Sequence, residues 1–324
     1  MIRFAQYDDI PKIMEFICKN WKKDHIMGRD RTLFEFQHVW GEEVSFVISE
    51  NEGDIKGILG YIPYGTSQKD VMLAIWKTIK TTDTMLGVKI LKFLQNSCDI
   101  KSISGPGINP RTRHLYQFLG LETGCMKQWY RLRPLDEYTI ALVKENEIPQ
   151  YQCNVQVQIE EYTDFEELME SFRLEECLVR ENHPVKTPDY LKRRYFHHPV
   201  YQYLKYGIRY ETKKLLVILR IQEYNGASIL RVIDGIGDQE LLQFFTIQLD
   251  ALMEQYGCEY ADIYETGIED GILSDGGWKL TANTGNIMPE YFSPFERRNI
   301  EIHYMSSIPE VVLFKGDGDM DRPN

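Results

Sequence analysis

The chain has 324 residues, more than one hydrophobic core usually spans, so two domains are expected. Its net charge of −12 and pI near 5.2 argue against a nucleic-acid partner, because neutralising a phosphate backbone takes clustered Lys and Arg. The longest apolar runs fall far short of a membrane span, and Met1-Ile2-Arg3-Phe4-Ala5-Gln6 lacks the apolar segment of a signal peptide, so a cytoplasmic protein is expected.

Ile2 to Gln6 reads as a first strand. Asp8-Asp9 then precede apolar positions at Ile10, Ile13, Met14, Phe16, Ile17 and Trp21, the pattern of a capped amphipathic helix. Residues 22–30 break that pattern, and a second helix over about Thr32 to Trp40 ends at Gly41. Val44 to Ser49 and Ile55 to Ile62 are strands joined by the hairpin signal Glu50-Asn51-Glu52-Gly53-Asp54. Val71 to Trp76 is a short apolar run of strand type. A hydroxyl-rich loop, Thr81 to Gly87, opens into a buried helix over Val88 to Gln95. Such a loop exposes unpaired backbone N–H groups and the positive end of a helix dipole, a setting for phosphate or pyrophosphate. Ile100 to Ser104 is the next strand. It runs through Gly105-Pro106-Gly107-Ile108-Asn109 into a helix over about Pro110 to Leu119, which stops at Gly120. Met126 to Leu132 is expected as the strand that closes this half.

Pro134 to Gln152 reads as a connector with an apolar patch at Tyr138 to Val143. The second half then repeats the first in outline: a strand at Val155 to Ile159, helices over Phe165 to about Leu178 and Pro188 to Phe196, and strands at Tyr203 to Tyr210, Lys214 to Gln222 and Ala227 to Ile233. A long helix over Gln239 to Tyr256, a strand at Tyr260 to Tyr264 and a short helix at Ile268 to Leu273 follow. Ile300 to Tyr304 and Val311 to Phe314 are candidate closing strands. The six cysteines, Cys18, Cys98, Cys125, Cys153, Cys177 and Cys258, are scattered without a CxxC and are expected as buried thiols.

The element order of the first half resembles the core of the GNAT superfamily, the acyl-CoA-dependent N-acyltransferases, over about residues 1–133. That family's pyrophosphate loop reads roughly Gln/Arg-x-x-Gly-x-Gly/Ala after the fourth strand. The matching frame here is Thr84-Met85-Leu86-Gly87-Val88-Lys89, in which only Gly87 matches and Lys89 replaces a small residue. The family's Asn, Tyr seven residues later and Gly four after that, followed by a large apolar residue, are matched by Asn109, Tyr116, Gly120 and Leu121.

The resemblance implies an α/β fold with a mixed (α+β) sheet and two GNAT-like domains in tandem. Residues 1–133 would bind acyl-CoA, 134–152 would connect, and 153–324 would form a second, degenerate domain. It implies acetyl-CoA or another acyl-CoA as co-substrate and a small-molecule amine, by resemblance an amino sugar, as acceptor. Thr84, Leu86, Gly87, Val88 and Lys89 would hold the pyrophosphate, Asn109 would lie near the pantetheine arm, and backbone N–H groups around Ile75 would polarise the thioester carbonyl. Tyr116 would protonate the departing thiolate.

Each assignment has a plainer counterpart. A Tyr on an amphipathic helix is usually a core residue, though a reference pKa near 10 suits proton donation. Asn109 before Pro110 is also a sound helix cap. His25 is a candidate general base or acceptor contact, and equally a residue capping a turn. Many family members carry a carboxylate base on the fourth strand; Val71 to Lys80 has none, so the base stays open, and one acting through water is an option.

In the second half the turn Asp234-Gly235-Ile236-Gly237-Asp238-Gln239 puts two carboxylates where a pyrophosphate would sit, and no Tyr matches Tyr116. This half is therefore expected not to bind acyl-CoA but to share in the acceptor site or in a homodimer interface. Arg180 to Pro184 and Lys192 to Pro199 are its acceptor-side candidates, set against a solvated helix face beside core aromatics. His197 and His198 point to different sides, and no metal site is expected. The Asp-rich tail, Lys315 to Asn324, lacks the Gly and Glu of a calcium loop and reads as a polar tail docked through Arg322. Two other functions stay open: aminoacyl transfer from a charged tRNA, and a non-catalytic binding module.

Overall fold

The computed structural model describes residues 1–65, 69–97, 99–152 and 155–323. Cys98 and Cys153 lie outside the described residues.

In the first half, strand β1 (Ile2–Ala5) leads into helices α1 (Ile10–Asn20), α2 (Ile26–Arg29) and α3 (Arg31–His38). Strands β2 (Val39–Trp40), β3 (Glu43–Asn51), β4 (Asp54–Pro63) and β5 (Lys69–Thr78) follow, then α4 (Leu86–Gln95), β6 (Ile100–Pro106), α5 (Arg113–Phe118), β7 (Glu122–Cys125) and β8 (Lys127–Leu132). The second half runs β9 (Gln158–Glu161), α6 (Phe165–Glu170), α7 (Pro188–Leu191), β10 (Leu204–Tyr210), β11 (Lys213–Tyr224), β12 (Ala227–Gly237), α8 (Thr246–Gln255), β13 (Cys258–Thr266), α9 (Asp270–Asp275), β14 (Lys279–Leu280), β15 (His303–Ser306) and β16 (Leu313–Phe314).

Two mixed sheets of eight strands result. The first has the order β1-β3-β4-β5-β6-β15-β7, the second β14-β8-β13-β12-β11-β10-β9, with β2 on β3 and β16 on β13. The strand expected to close the first half does not do so. β8 pairs along β13, from Tyr260 opposite Leu132 to Glu265 opposite Lys127, while β15 from near the C-terminus lies between β6 and β7. The halves exchange their closing strands. Trp129 shows why: it packs in the second core, its Nε1 donates to Glu265 (2.9 Å), and the neighbouring Arg131 pairs with Asp250 (2.7 Å). Period-2 alternation marks a strand but not the sheet that receives it.

The first sheet is covered on both faces. Phe46, Ile48 and Ile58 pack against α1 and α3 through Ile10, Ile13, Phe16 and Phe34. Val47, Leu59, Val71 and Leu73 pack against α4 and α5 through Leu86, Ile90, Leu94 and Tyr116. These strands read as near-continuous apolar runs because both faces are buried. The connector 134–152 holds no helix or strand; Glu259 accepts from the N–H groups of Thr139 (2.5 Å) and Ile140 (2.9 Å) and pins it to the second half. The expected long helix over 239–256 is 3₁₀ from Gln239 to Phe245 and α-helical only from Thr246. Among the described cysteines, Cys177 and Cys258 are buried as expected, Cys18 is half-buried and Cys125 is exposed.

The tail is built into the middle of the molecule. Tyr64 donates to Asp317 (2.7 Å), and the Gly318 N–H donates back to the Tyr64 hydroxyl (3.0 Å). Lys186 donates to both oxygens of Asp234 (2.6 Å each) and lies 3.0 Å from Asp317; Tyr195 also donates to Asp234 (2.6 Å). Burial works against the Lys186 charge, and the two carboxylates overcome it and raise its pKa above the ordinary lysine value. Arg220 donates to Asp321 (2.5 Å), as does Tyr203 (2.8 Å).

Candidate active site

β5 and β6 run parallel and pair only from Lys69 to Met72 against Ile100 to Ser104; beyond that they separate into a wedge. Where the pairing stops, β5 carries a bulge. Leu59 of β4 faces Trp76 and Tyr61 faces Leu73, so Ala74 and Ile75 together oppose Gly60. A bulge leaves an extra residue out of the ladder and re-aims the side chains after it. Both effects are visible. Val71 and Leu73 face α4 and α5, while Ile75, two residues on, faces α1 and α3. Trp76 is thereby turned onto the α4 face, where its ring lies 5.7 Å from that of Tyr116. A Cβ at Gly87 would stand 3.4 Å from the same indole. The bulge thus brings Trp76, Gly87 and Tyr116 together on the α4 face, with Ile75 on the opposite face of the sheet.

Leu86 to Lys89 form the first turn of α4: the Leu86 N–H donates to the Asp83 carbonyl (3.3 Å) and the Lys89 N–H to the Met85 carbonyl (3.0 Å), which leaves the Gly87 and Val88 N–H groups without an intrahelical acceptor. Thr84 is exposed, Leu86 buried, and Val88 and Gly87 half-buried. Asp83 competes for this end. Its carboxylate accepts from Met85 N–H (3.1 Å) and from Lys89 Nζ (2.6 Å), and the lysine hydrogen bond holds it below the usual carboxylate range. An Asx-turn residue two places before Met85 is a local signal that sequence reading passed over. Trp76 was equally missed, because strict alternation puts it on the other face.

Tyr116 is 4% exposed, and burial pushes its phenol above the ordinary value. Asn109 is exposed; its side chain accepts from Arg111 N–H (3.0 Å), so it caps the turn that begins at Pro110. His25 stands apart from this group. It caps α2, its Nδ1 taking the Met27 N–H (3.3 Å), and its Nε2 lies 3.2 Å from Arg322 of the tail. Burial first, then Arg322, lowers its pKa to about 4. The rest of that loop also serves local structure: Asp30 caps α3 through Leu33 N–H (2.9 Å), and Arg31 pairs with Glu35 (2.7 Å).

The second half repeats the wedge and fills it. β12 and β13 pair from Ser228 to Val232, and the β11–β12 register slips at Ile233. β16 then pairs with Glu265 and Thr266, and the Gly316 N–H donates to the Ile233 carbonyl (2.7 Å). Asp234 is taken by Lys186, and Asp238 accepts a bidentate bond from Arg180 (2.8 and 3.0 Å). Chain atoms occupy the place a thioester would need. The cluster at 192–199 is not a solvated face but is held in contacts within the chain. Arg193 lies over Trp40 (4.3 Å) and donates to the carbonyls of Glu35 and Phe36, Arg194 reaches the tail at Asp321, and His198 stacks on Tyr201 (5.0 Å). Arg193 joins the halves, because the Trp40 ring and the carbonyls at the end of α3 meet it there.

No family model and no curated protein matches the sequence. Among solved structures, a GCN5-related N-acetyltransferase from Anabaena variabilis is similar at a TM-score of 0.58 and 13% identity, covering 95% of this chain and 72% of that one. A putative acetyltransferase from Pyrococcus horikoshii matches at a TM-score of 0.49 and 9% identity, over 98% of this chain and 93% of that one. The chain therefore has the fold of the GCN5-related N-acetyltransferases.

Proposed function

We propose that this chain is an acyl-CoA-dependent N-acyltransferase acting on a small amine, with an amino sugar as one acceptor class. The observation that carries the reading is the bulged wedge between β5 and β6, set beside the first turn of α4 in a fold shared with an N-acetyltransferase. Residues 1–133 are the acyl-CoA-binding part, 134–152 the connector, and 153–324 the degenerate partner, with β8 and β15 exchanged between them. The amides of Gly87 and Val88 and the Lys89 ammonium suit a pyrophosphate, with Leu86 buried behind them and Thr84 at the loop's outer edge. An amide of the Ala74–Ile75 bulge would bind the thioester carbonyl, and polarise it as the amine attacks. Asn109 caps the turn at the far side of the wedge, where the pantetheine arm would pass. Tyr116 would give its proton to the departing thiolate; His25, capped and held neutral beside Arg322, would act on the acceptor side.

The non-catalytic reading also has an observation in its favour: Asp83 already sits on the α4 end that an anion would use. Turnover separates the two. With acetyl-CoA and a panel of primary amines, the catalytic reading expects thiol release that Tyr116→Phe lowers roughly a hundredfold in kcat. Absent thiol release would support a binding module instead, and release that is equal in the variant would remove Tyr116 as the proton donor.

A further inference from the structure

We infer that a cleft of about 830 Å³ on the second half binds a zwitterionic amine of amino-acid or short-peptide size, the acceptor of the acyl transfer proposed above. The inference rests on that reading for the word acceptor; the cleft's own chemistry supports the ligand class.

The floor of the cleft is charged and buried. Arg220, Glu290, Lys315 and Asp321 line it and are 8%, 5%, 2% and 1% exposed. They form two ion pairs, Arg220 with Asp321 and Lys315 with Glu290. Each pair leaves hydrogen-bonding capacity over. Glu290 Oε2 and Arg220 Nε have no partner among the described residues, and the same holds for Gln222 Oε1 and Arg322 Nε, whose side chains line the same cleft. These four atoms are themselves buried beneath the cleft surface, two of them acceptors and two of them donors on cations, so both signs lie under its floor. A floor of both signs is the complement of one ammonium and one carboxylate.

Charge balance narrows the class further. Lys205, Arg220, Lys315 and Arg322 face Glu161, Glu223, Glu290 and Asp321 across the lining, four against four. A polyphosphate would meet the carboxylates and a polyamine the cations, whereas a zwitterion meets both signs in register. The mouth differs from the floor. Val200, Tyr256 and Tyr291 are 55%, 37% and 39% exposed there, a surface for an apolar or aromatic side chain.

The cleft also lies on the correct side of the tail. Met320 lines it and at the same time covers Gly107, just past β6, where φ is +82° and no side chain would fit. A Cβ at Gly318, two residues earlier, would stand 3.4 Å from Met72 Cβ, so this residue lies close to the point where β5 and β6 part. One short segment therefore forms the wall of the cleft and the border of the wedge.

Calorimetry with three probes tests this: phenylalanylglycine, its N-acetyl derivative without the ammonium, and phenylalaninamide without the carboxylate. The zwitterion is expected to bind at least tenfold tighter than either blocked form. Glu290→Gln is expected to abolish its advantage over the N-acetyl form. Tyr291→Ala, at the exposed rim and so without risk to folding, is expected to weaken the zwitterion severalfold. Equal binding of the three probes, or none at millimolar concentration, overturns the inference. Acetyl-CoA titrated into the same preparation separates the failures. CoA binding without dipeptide binding removes only the cleft assignment. Dipeptide binding without CoA binding removes the acyl-transfer reading and leaves a zwitterion site.

Discussion

Asp83 and Lys89 show how one residue decides between competing roles at a helix end. The α4 N-terminus offers amides and a positive dipole, and the Asp83 carboxylate now holds that place. A CoA pyrophosphate must displace a like charge. Asp83→Asn is therefore expected to tighten acetyl-CoA binding by roughly three- to tenfold, the effect of removing one nearby like charge at a partly screened surface. Unchanged affinity in a titration would show that the loop does not meet the phosphates. Histidine gives a second test at this scale. His38 is fully buried, bonded to Ser45 (2.9 Å) and Gln37 (3.2 Å), and burial lowers its pKa to about 4. The folded state then resists a proton that the unfolded chain accepts near its ordinary value of 6.5. Stability from this group is full above pH 6.5 and is lost as pH falls toward 4, on the order of 3 kcal/mol in all. Urea unfolding of His38→Gln should show a flatter loss over that window; a slope equal to the wild type's would rule the group out as its source.

At the scale of elements, the exchange of β8 and β15 means that neither sheet is complete without the other half of the chain. The buried ion cluster reinforces this, since Lys186 joins Asp234 of β12 to Asp317, which in turn holds Tyr64 at the end of β4. A single cooperative unfolding transition is expected by calorimetry and circular dichroism alike. Lys186→Met is expected to cost about 3–5 kcal/mol, because it leaves two buried carboxylates without their cation. Two separated transitions would contradict this description. Most strands and helices were legible in the sequence, because apolar periodicity is local. The destination of Met126–Leu132 was not: Trp129 alternates like any core residue, and only a long-range partner, Glu265, shows which core it enters. The candidate site was legible in part. Gly87, Asn109 and Tyr116 were pointed to by the resemblance to the GNAT motif, and Asn109 before Pro110 is readable as a cap. The bulge at Ala74–Ile75 leaves no mark in a run that is apolar throughout, so the turning of Trp76 onto Tyr116 was hidden. The tail reads as a polar segment docked through Arg322, and the burial of its carboxylates was hidden because their cations, Lys186, Arg194 and Arg220, lie some hundred or more residues away in sequence.

For the whole molecule, the two halves use one architecture to different ends. The first leaves the ends of β5 and β6 unpaired beside a helix N-terminus, with Gly318 of the tail set against Met72, Leu73 and Pro106 where they part; the second threads β16 and Gly316 through its own wedge and carries a polar cleft. Acyl-CoA binding at the first wedge is the claim on which this division of labour depends. Calorimetric titration with acetyl-CoA, and with a longer acyl-CoA, on wild type and Gly87→Asp tests it most directly. An acidic residue in the first turn of a helix favours that helix, and a Cβ at Gly87 meets Trp76 only at ordinary contact distance (3.4 Å), so the variant is expected to fold. Saturable binding by the wild type, weakened at least tenfold in the variant with its thermal midpoint unchanged, is the predicted result. No binding of either acyl-CoA by the wild type, or equal binding by the variant, would contradict it.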